Sequence, residues 1–188
     1  MLGLRYCKTQ DIAEGFLSLE ERVGAEETKV YLALHPFRRG SRGTKRKRAR
    51  TVAVIRIATY NAFQRDEIHA LYASVGWTAY TDDLERLERA FAKSLLVLAA
   101  YDEGNLLGLL RLVGDGEAIV FLQDVLVRPA CQRQGIGRAL IEEALRRYPD
   151  IRQVQLTTDR SEKTQAFYET LGFCRHEDMG LVSYMLRR

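Results

Sequence analysis

The stretch from Ala118 to Asp150 limits the fold more than any other part of the chain. Ala118–Val127 is apolar on both faces except for Gln123 and Asp124, a pattern that asks for a strand covered from both sides. It stops at Pro129, which has no N–H to give a ladder. The loop Gln132-Arg133-Gln134-Gly135-Ile136-Gly137-Arg138 then leads into a helix. Its Ile136, Leu140, Ile141, Ala144, Leu145 and Tyr148 form one buried face, while Arg138, Glu142 and Arg146 point away. Pro149-Asp150 ends it, and Val154 to Thr158 reads as a further strand. With a helix between them, the two strands should be parallel and joined by a right-handed crossover. The expectation is an α/β domain with a mixed sheet.

The flanking patterns fill in the rest. Val52, Val54, Ile55 and Ile57 suggest a strand ending near Thr59. Asn61 is a cap for a helix striped by Phe63, Ile68, Leu71, Tyr72 and Val75, and Asp82 or Asp83 caps a second carrying Leu84, Leu87 and Phe91. Leu95–Tyr101 and Leu106–Val113 read as antiparallel strands across an Asp-Glu-Gly-Asn turn, with a Gly-Asp-Gly turn after them. Asp159 with Glu162 resembles a capping pair for a helix to Leu171, closed by Gly172. Phe173–Cys174 and Leu181–Leu186 supply one or two last strands. The order is β-α-α-β-β-β-α-β-α-β.

Charge sets the N-terminal segment apart. Residues 1–50 carry a net +6 against +4 for the whole chain, so residues 51–188 carry −2. Arg38, Arg39, Arg42, Lys45, Arg46, Lys47, Arg48 and Arg50 place eight cations in 13 residues without an acid, the composition of a solvated linker. Before it, Ile12, Phe16, Leu19 and Val23 make one stripe of a short helix, with Gly24 a stop. The compact domain is placed from Thr51 to residue 188, and residues 1–50 are a basic extension. Because the domain reads as complete from about Val54, a further reading is that the extension is not native. The longest apolar run, Leu95–Tyr101, is seven residues, against roughly 20 for a membrane span. No export signal is readable at the N-terminus, so a cytoplasmic location is expected. Three cysteines, Cys7, Cys131 and Cys174, are an odd number at wide spacing with no C-x-x-C pair, which points to free thiols.

The glycine loop is the main chemical signal. Gly135 and Gly137 remove the β-carbons that would hold an anion off the backbone, and a helix start leaves its first N–H groups open at the positive end of the dipole. Arg133 and Arg138 add charge. Leu140 stands where a dinucleotide fingerprint needs Gly or Ala, and no Gly-Lys-Ser/Thr is present, so the diphosphate belongs to another ligand class. The alternative is a glycine-rich helix start that holds no ligand.

Two segments carry a family resemblance. Gln132–Gly137 is similar to the Q/R-x-x-G-x-G/A motif of the GNAT superfamily of acyl-CoA-dependent N-acetyltransferases, and Ala166-Phe167-Tyr168-Glu169-Thr170-Leu171-Gly172-Phe173 resembles its helix-borne tyrosine followed by Leu-Gly-Phe. The resemblance covers about residues 54–186, and Trp77 through Glu162-Lys163-Thr164 is similar to a small bacterial branch whose acceptor is unnamed. It implies a mostly antiparallel mixed sheet, splayed at a central parallel pair, with helices on both faces.

The same resemblance implies acetyl-CoA as co-substrate, with its diphosphate on the N–H groups of Gln134–Arg138, Gln132 and Arg133 framing the loop, and the pantetheine arm along Val125, Leu126 and Val127. No metal is required, because a thioester is already activated and the protein mainly positions the amine and stabilises the oxyanion. Tyr168, a phenol with a reference pKa of about 10, suits protonation of the leaving thiolate; a core position beside Phe167 and Leu171 is the alternative that the motif outweighs. Phe121 stands where histone-type members carry a strand glutamate, so Asp124 is the candidate base, alone or through a water; an ion pair with Arg111 or a bond to backbone is the competing reading. Ser161 replaces an Asn that members carry seven residues before the tyrosine, and this weakens its assignment to the cofactor. Trp77, Tyr80 and Gln123 are assigned to the acceptor wall, with a folded-over aromatic lid as the alternative. His35, His69 and His176 have no partner at metal or triad spacing. The acceptor is a small-molecule or protein amine, a homodimer fits the family, and no membrane is implied. Two competing readings are RNA or ribosome association through the basic 38–50 run and an inactive acyl-CoA-binding module.

Overall fold

In the computed structural model, residues 20–22, 27–34 and 51–186 are described, and before Val54 only the side chain of Thr28 is included. They fall into two compact units, residues 18–157 and a second described over residues 158–186.

The first unit is built on a sheet of β1 (Glu20–Arg22), β2 (Glu27–Leu34), β3 (Thr51–Thr59), β4 (Leu96–Asp102), β5 (Asn105–Gly114), β6 (Ile119–Val127) and β7 (Gln153–Leu156), in chain order. All neighbours are antiparallel except β6 and β7, which are parallel across the helix that joins them. Strand alternation gives the sheet two buried faces. Val97 and Ala99 of β4, with Leu109 and Leu126, pack with Ile68, Leu71, Leu87 and Phe91 of α1 (Arg65–Ser74) and α3 (Leu84–Ala92). Leu98 and Ala100, of opposite parity, are also fully buried, and α4 (Ile136–Arg147) packs on β4, β5 and β6. Each fully buried Leu or Ile contributes about 1.5–3 kcal/mol of transfer free energy.

Central boundaries follow the sequence closely, and the differences have local causes. α1 begins after Gln64 rather than Asn61, because Tyr60 N–H bonds Val97 O at 2.8 Å, extending the β3–β4 ladder, and the Tyr60 phenol oxygen accepts the Gln64 N–H at 3.1 Å. The loop of Trp77 contains a single helical turn, α2 (Thr78–Thr81). Asp83 caps α3, accepting the Arg86 N–H at 2.8 Å. Asp115 accepts the N–H groups of Glu117, Ala118 and Ile119, which start β6 and hold its carboxyl below the usual range.

The domain start at Thr51 is the larger correction. β2 pairs with β3 from Glu27↔Ala58 to Leu34↔Thr51, so the sheet draws on the segment read as an extension. Sequence missed it because charges flank the strand on both sides. β2 and β3 are also tied to α4: its Glu143, only 4% exposed, accepts Thr28 Oγ1 at 3.1 Å, and Arg147, which donates to Glu143 at 2.8 Å, reaches Thr59 Oγ1 at 2.7 Å. The expected helix 12–23, apart from Glu20–Arg22 in β1, and the basic 38–50 run lie outside the described residues.

In the second unit α5 (Glu162–Glu169) is capped by Ser161, whose Oγ accepts the Thr164 N–H at 3.2 Å. Asp159 supports the cap by accepting the Ser161 N–H at 2.7 Å, rather than capping the helix itself. Among the described residues no strand follows β7: Phe173–Cys174 and Leu181–Leu186 are irregular. The apolar side chains of Val182, Tyr184, Met185 and Leu186 are exposed, so the strand-prone pattern has no pleated neighbour to pack on. The parallel pair expected at the sheet centre therefore ends the strand order at β7. No helix among the described residues is long and apolar enough to cross a membrane.

Candidate active site

β6 carries the site because its two edges behave differently. It pairs with β5 from Val120 to Val127 but with β7 only from Ile119 to Leu122. Past Leu122 the sheet opens, and the β7-facing backbone groups of Gln123–Val127 have no strand partner among the described residues. At the opening the ladder carries a bulge: Arg111 faces Asp124 and Leu112 faces Leu122, which leaves Gln123 as the extra residue. Such a residue re-aims the side chains around it. Gly108 permits the close approach on the other edge, since a Cβ there would meet Leu126 O at 2.7 Å and Ile136 Cγ2 at 3.4 Å.

Beyond Val127 the chain is fastened before it turns. Arg128 donates its N–H to Leu107 O at 2.8 Å and its Nε to Leu106 O at 2.6 Å, and a 3-10 turn over Pro129–Cys131 follows. Gln132 Nε2 returns to Val127 O at 3.1 Å and Gln134 Nε2 to Ala130 O at 3.2 Å, so both amides brace the loop from inside. Arg133 takes a positive φ of 61° and Gly135 one of 89°. For Arg133 the left-handed region costs about 1–2 kcal/mol, whereas glycine adopts it freely. Alternating left-handed residues turn successive N–H groups to one side, forming an anion-binding concavity. The N–H groups of Arg133, Gln134, Gly135, Ile136 and Gly137 have no acceptor among the described residues, and they open at the positive end of α4. Arg138, on the first turn, is paired with Glu142 at 3.3 Å. Burial pushes the nearby Cys131 thiol up, away from reactivity.

Asp124 is the one carboxylate buried in β6, 1% exposed. Its Oδ2 accepts both Arg111 Nε at 2.5 Å and the Tyr72 phenol at 2.8 Å, while Oδ1 is buried with no hydrogen-bond partner among the described residues. The ion pair with Arg111, the competing reading of this residue, is therefore present. Burial, reinforced by the Asp124 charge, pushes the Tyr72 phenol above its ordinary value and keeps it a donor. An unpartnered buried acceptor costs about 1–3 kcal/mol, so Oδ1 is an expense that the fold retains.

The aromatic residues expected on the acceptor wall come together here. Trp77 and Tyr80 are stacked, with ring centroids 5.7 Å apart and planes 25° from parallel. The Tyr72 ring lies 5.4 Å from Tyr80 and 6.2 Å from Trp77, and Gln123 Nε2 donates to the Tyr80 phenol oxygen at 3.3 Å. Trp77, Tyr80, Gln123 and Asp124 thus form one cluster around the β6 bulge, and Val125–Val127 run from it to the glycine loop. Tyr72 was read as one member of an apolar stripe; 52 residues separate it from Asp124, and nothing local announces the bond. Arg111 and Asp124 were legible as a pair, since each is the lone charge in an apolar strand.

Tyr168 and Ser161 belong to the second unit. Tyr168 is half-buried on α5, edge-on to Phe167 at 5.0 Å and to Phe173 at 5.7 Å. Burial raises its phenol above the ordinary value, and the Asp159 carboxylate adds to the shift. Ser161 is spent on the α5 cap. No group of three or more His, Cys, Asp or Glu suited to a metal ion occurs among the described residues.

Residues 59–183 match the family described as an acetyltransferase (GNAT) domain. A solved GNAT-family acetyltransferase from Streptococcus pneumoniae is 38% identical, with a TM-score of 0.65 over 71% of this chain and 98% of that one. A histone acetyltransferase of Glycine max is 33% identical over 120 residues, covering 57% of this chain and 50% of its own. A chloroplastic serotonin N-acetyltransferase of Oryza sativa subsp. japonica is 30% identical over 129 residues, covering 64% and 62%. The chain thus spans between half and just under two thirds of these two curated relatives. A domain match over most of the chain, with a solved relative matched nearly end to end, places this chain in the GNAT acetyltransferase family, whose members are acyl-CoA-dependent acyltransferases.

Proposed function

We propose that the protein transfers an acetyl group from acetyl-CoA to a primary amine by direct attack within a ternary complex. The observation that carries this reading is the run of five open N–H groups from Arg133 to Gly137, set beside a strand edge that opens after Leu122. A diphosphate satisfies the first, and a pantetheine amide, extended like a strand, satisfies the second. The residues present fit the co-substrate: Val125, Leu126 and Val127 take the arm, and the loop framed by Gln132 and Arg133 takes the charge. Ser161, engaged in its cap, is left out of this set.

In the reaction the amine nitrogen bonds to the thioester carbon and the carbon–sulfur bond breaks. The amine loses a proton through a water to Asp124 Oδ1, the buried oxygen that has no partner among the described residues while Arg111 and Tyr72 both take Oδ2. For the leaving thiolate the resemblance names Tyr168 as the proton donor, and burial keeps its phenol protonated. The relatives named above are called after different acceptors, a histone and serotonin, so family membership leaves the acceptor open. The test is release of free CoA thiol from acetyl-CoA with a panel of primary amines, read with a thiol reagent, alongside a one-acetyl mass gain in the amine. Amine-dependent release supports the reading; tight acetyl-CoA binding with no release on any amine replaces it with an acyl-CoA-binding module.

A further inference from the structure

Three buried side chains from three elements meet so as to leave one acceptor bare. Tyr72 of α1 is fully buried, and Arg111 of β5 and Asp124 of β6 are nearly so. An arginine beside a carboxylate ordinarily donates through two nitrogens to both oxygens. Here Arg111 gives Nε to Oδ2 at 2.5 Å and turns Nη1 to Ser94 Oγ at 3.3 Å, with its guanidinium 5.7 Å above the Phe91 ring. The Tyr72 phenol adds a second donor to the same Oδ2 at 2.8 Å, and Oδ1 has no partner among the described residues. Arg111 also faces the phenol itself, so the three groups close a triangle around Oδ2. The arrangement forgoes a hydrogen bond open to two charged partners, since rotation about the broad χ2 torsion of an aspartate would bring Oδ1 to the guanidinium.

We propose that Tyr72 is a positioning residue for acetyl transfer: as the second tether on Oδ2 it fixes the plane of the Asp124 carboxylate and keeps Arg111 from closing a two-pronged pair on Oδ1. This inference rests on the acetyl-transfer reading, in which Oδ1 receives the amine proton through a water. Fully buried, Tyr72 acts on the reaction only through Asp124. Among the described residues, the titratable and charged groups bonded to Asp124 are Tyr72 from α1 and Arg111 from β5. The Tyr72 ring serves separately as core, packed on Phe91 and Tyr80, so the phenol oxygen can be removed with that packing kept.

The test compares the full chain with its Tyr72→Phe variant at saturating acetyl-CoA, using the most active primary amine of the CoA-release panel from pH 7 to about pH 9.5. At pH 7 the variant should lose about tenfold in kcat/KM for the amine, less than the roughly 100-fold floor for removing a general base outright, with the acetyl-CoA KM within about twofold. As pH rises, more of the amine arrives uncharged and needs the base less, so the gap should narrow to about twofold; a packing defect leaves it unchanged. Lysine offers one charged nitrogen and no fork, so adding Arg111→Lys to Tyr72→Phe should recover at least about threefold, where two independent structural losses would add. Thermal unfolding of each variant confirms a folded chain. Equal kcat/KM in Tyr72→Phe at pH 7, a gap that does not change with pH, or additive losses in the double variant overturns the positioning role and leaves acetyl transfer intact. No turnover of any amine by the full chain overturns both.

Discussion

A phenol can deliver a proton only while it keeps one, and this makes Tyr168 the most exposed assignment at the scale of single residues. Burial first and the Asp159 carboxylate second disfavour its ionised form, so its pKa lies above the ordinary value of about 10. A raised value keeps the acid form populated through neutral and moderately alkaline pH. The kcat against pH should accordingly show no fall from loss of this proton below about pH 10; a limb near pH 8 that vanishes in Tyr168→Phe would keep the acid role but contradict the raised pKa. Tyr168→Phe itself should lower kcat by about 100-fold or more, the lower range of general acid contributions, while the KM for acetyl-CoA stays within about twofold. Steady-state kinetics separate the two effects, and an unchanged kcat would return Tyr168 to the core. The motif made Tyr168 legible, but no sequence signal joined Tyr72 to Asp124, because that bond depends on α1 and β6 packing face to face.

At the scale of elements, α4 both follows the Arg133–Gly137 loop, proposed to hold the diphosphate, and anchors the sheet. Its buried Glu143 accepts Arg146, Arg147 and Thr28, and Arg147 continues to Thr59 of β3. Burial would raise the Glu143 carboxyl, but the Arg146 and Arg147 hydrogen bonds outweigh it and hold the group below its ordinary range. A depressed folded value gives stability that is present above the unfolded pKa of about 4.3 and is lost as pH falls through the folded one. Glu143→Gln should therefore cost about 1–3 kcal/mol at pH 7, and denaturant titrations of the two proteins should begin to approach each other below the unfolded pKa and converge only as pH falls through the lower folded one. A gap that persists in acid would place the cost in packing. The sequence placed Glu143 on neither face of the helix: Arg146 and Arg147 lie at i+3 and i+4, but its burial comes from packing near β2, where Thr28 reaches it from far along the chain. It did give the ends of β4, β5 and β6 to within about two residues, where alternation and turns coincide; α2 escaped it because one turn is too short to show a period.

At the scale of the molecule, the sheet is wider at its N-terminal side and narrower at its C-terminal side than hydropathy suggests. β2 lengthens it through β3, and strand-prone Leu181–Leu186 leaves it unextended past β7. Both differences have the same origin, because strand propensity takes effect only where a neighbour offers a paired edge and a face to pack on. If β2 is integral, removal of residues 1–50 exposes the edge of β3 and strips Thr28 from Glu143; thermal unfolding should then show a lower Tm for the truncated chain. An equal Tm would make the segment dispensable. The central claim is that the Arg133–Gly137 loop binds the diphosphate of acetyl-CoA. Its most direct test is thermal unfolding of the full chain with acetyl-CoA, NADH or ATP, repeated for Gly135→Val, which forces a branched side chain into a backbone region at φ 89°. Tm should rise with acetyl-CoA concentration, stay unchanged with NADH and ATP, and lose the rise in the variant; equal shifts with all three ligands, or none with acetyl-CoA, would rule out specific diphosphate binding by this loop.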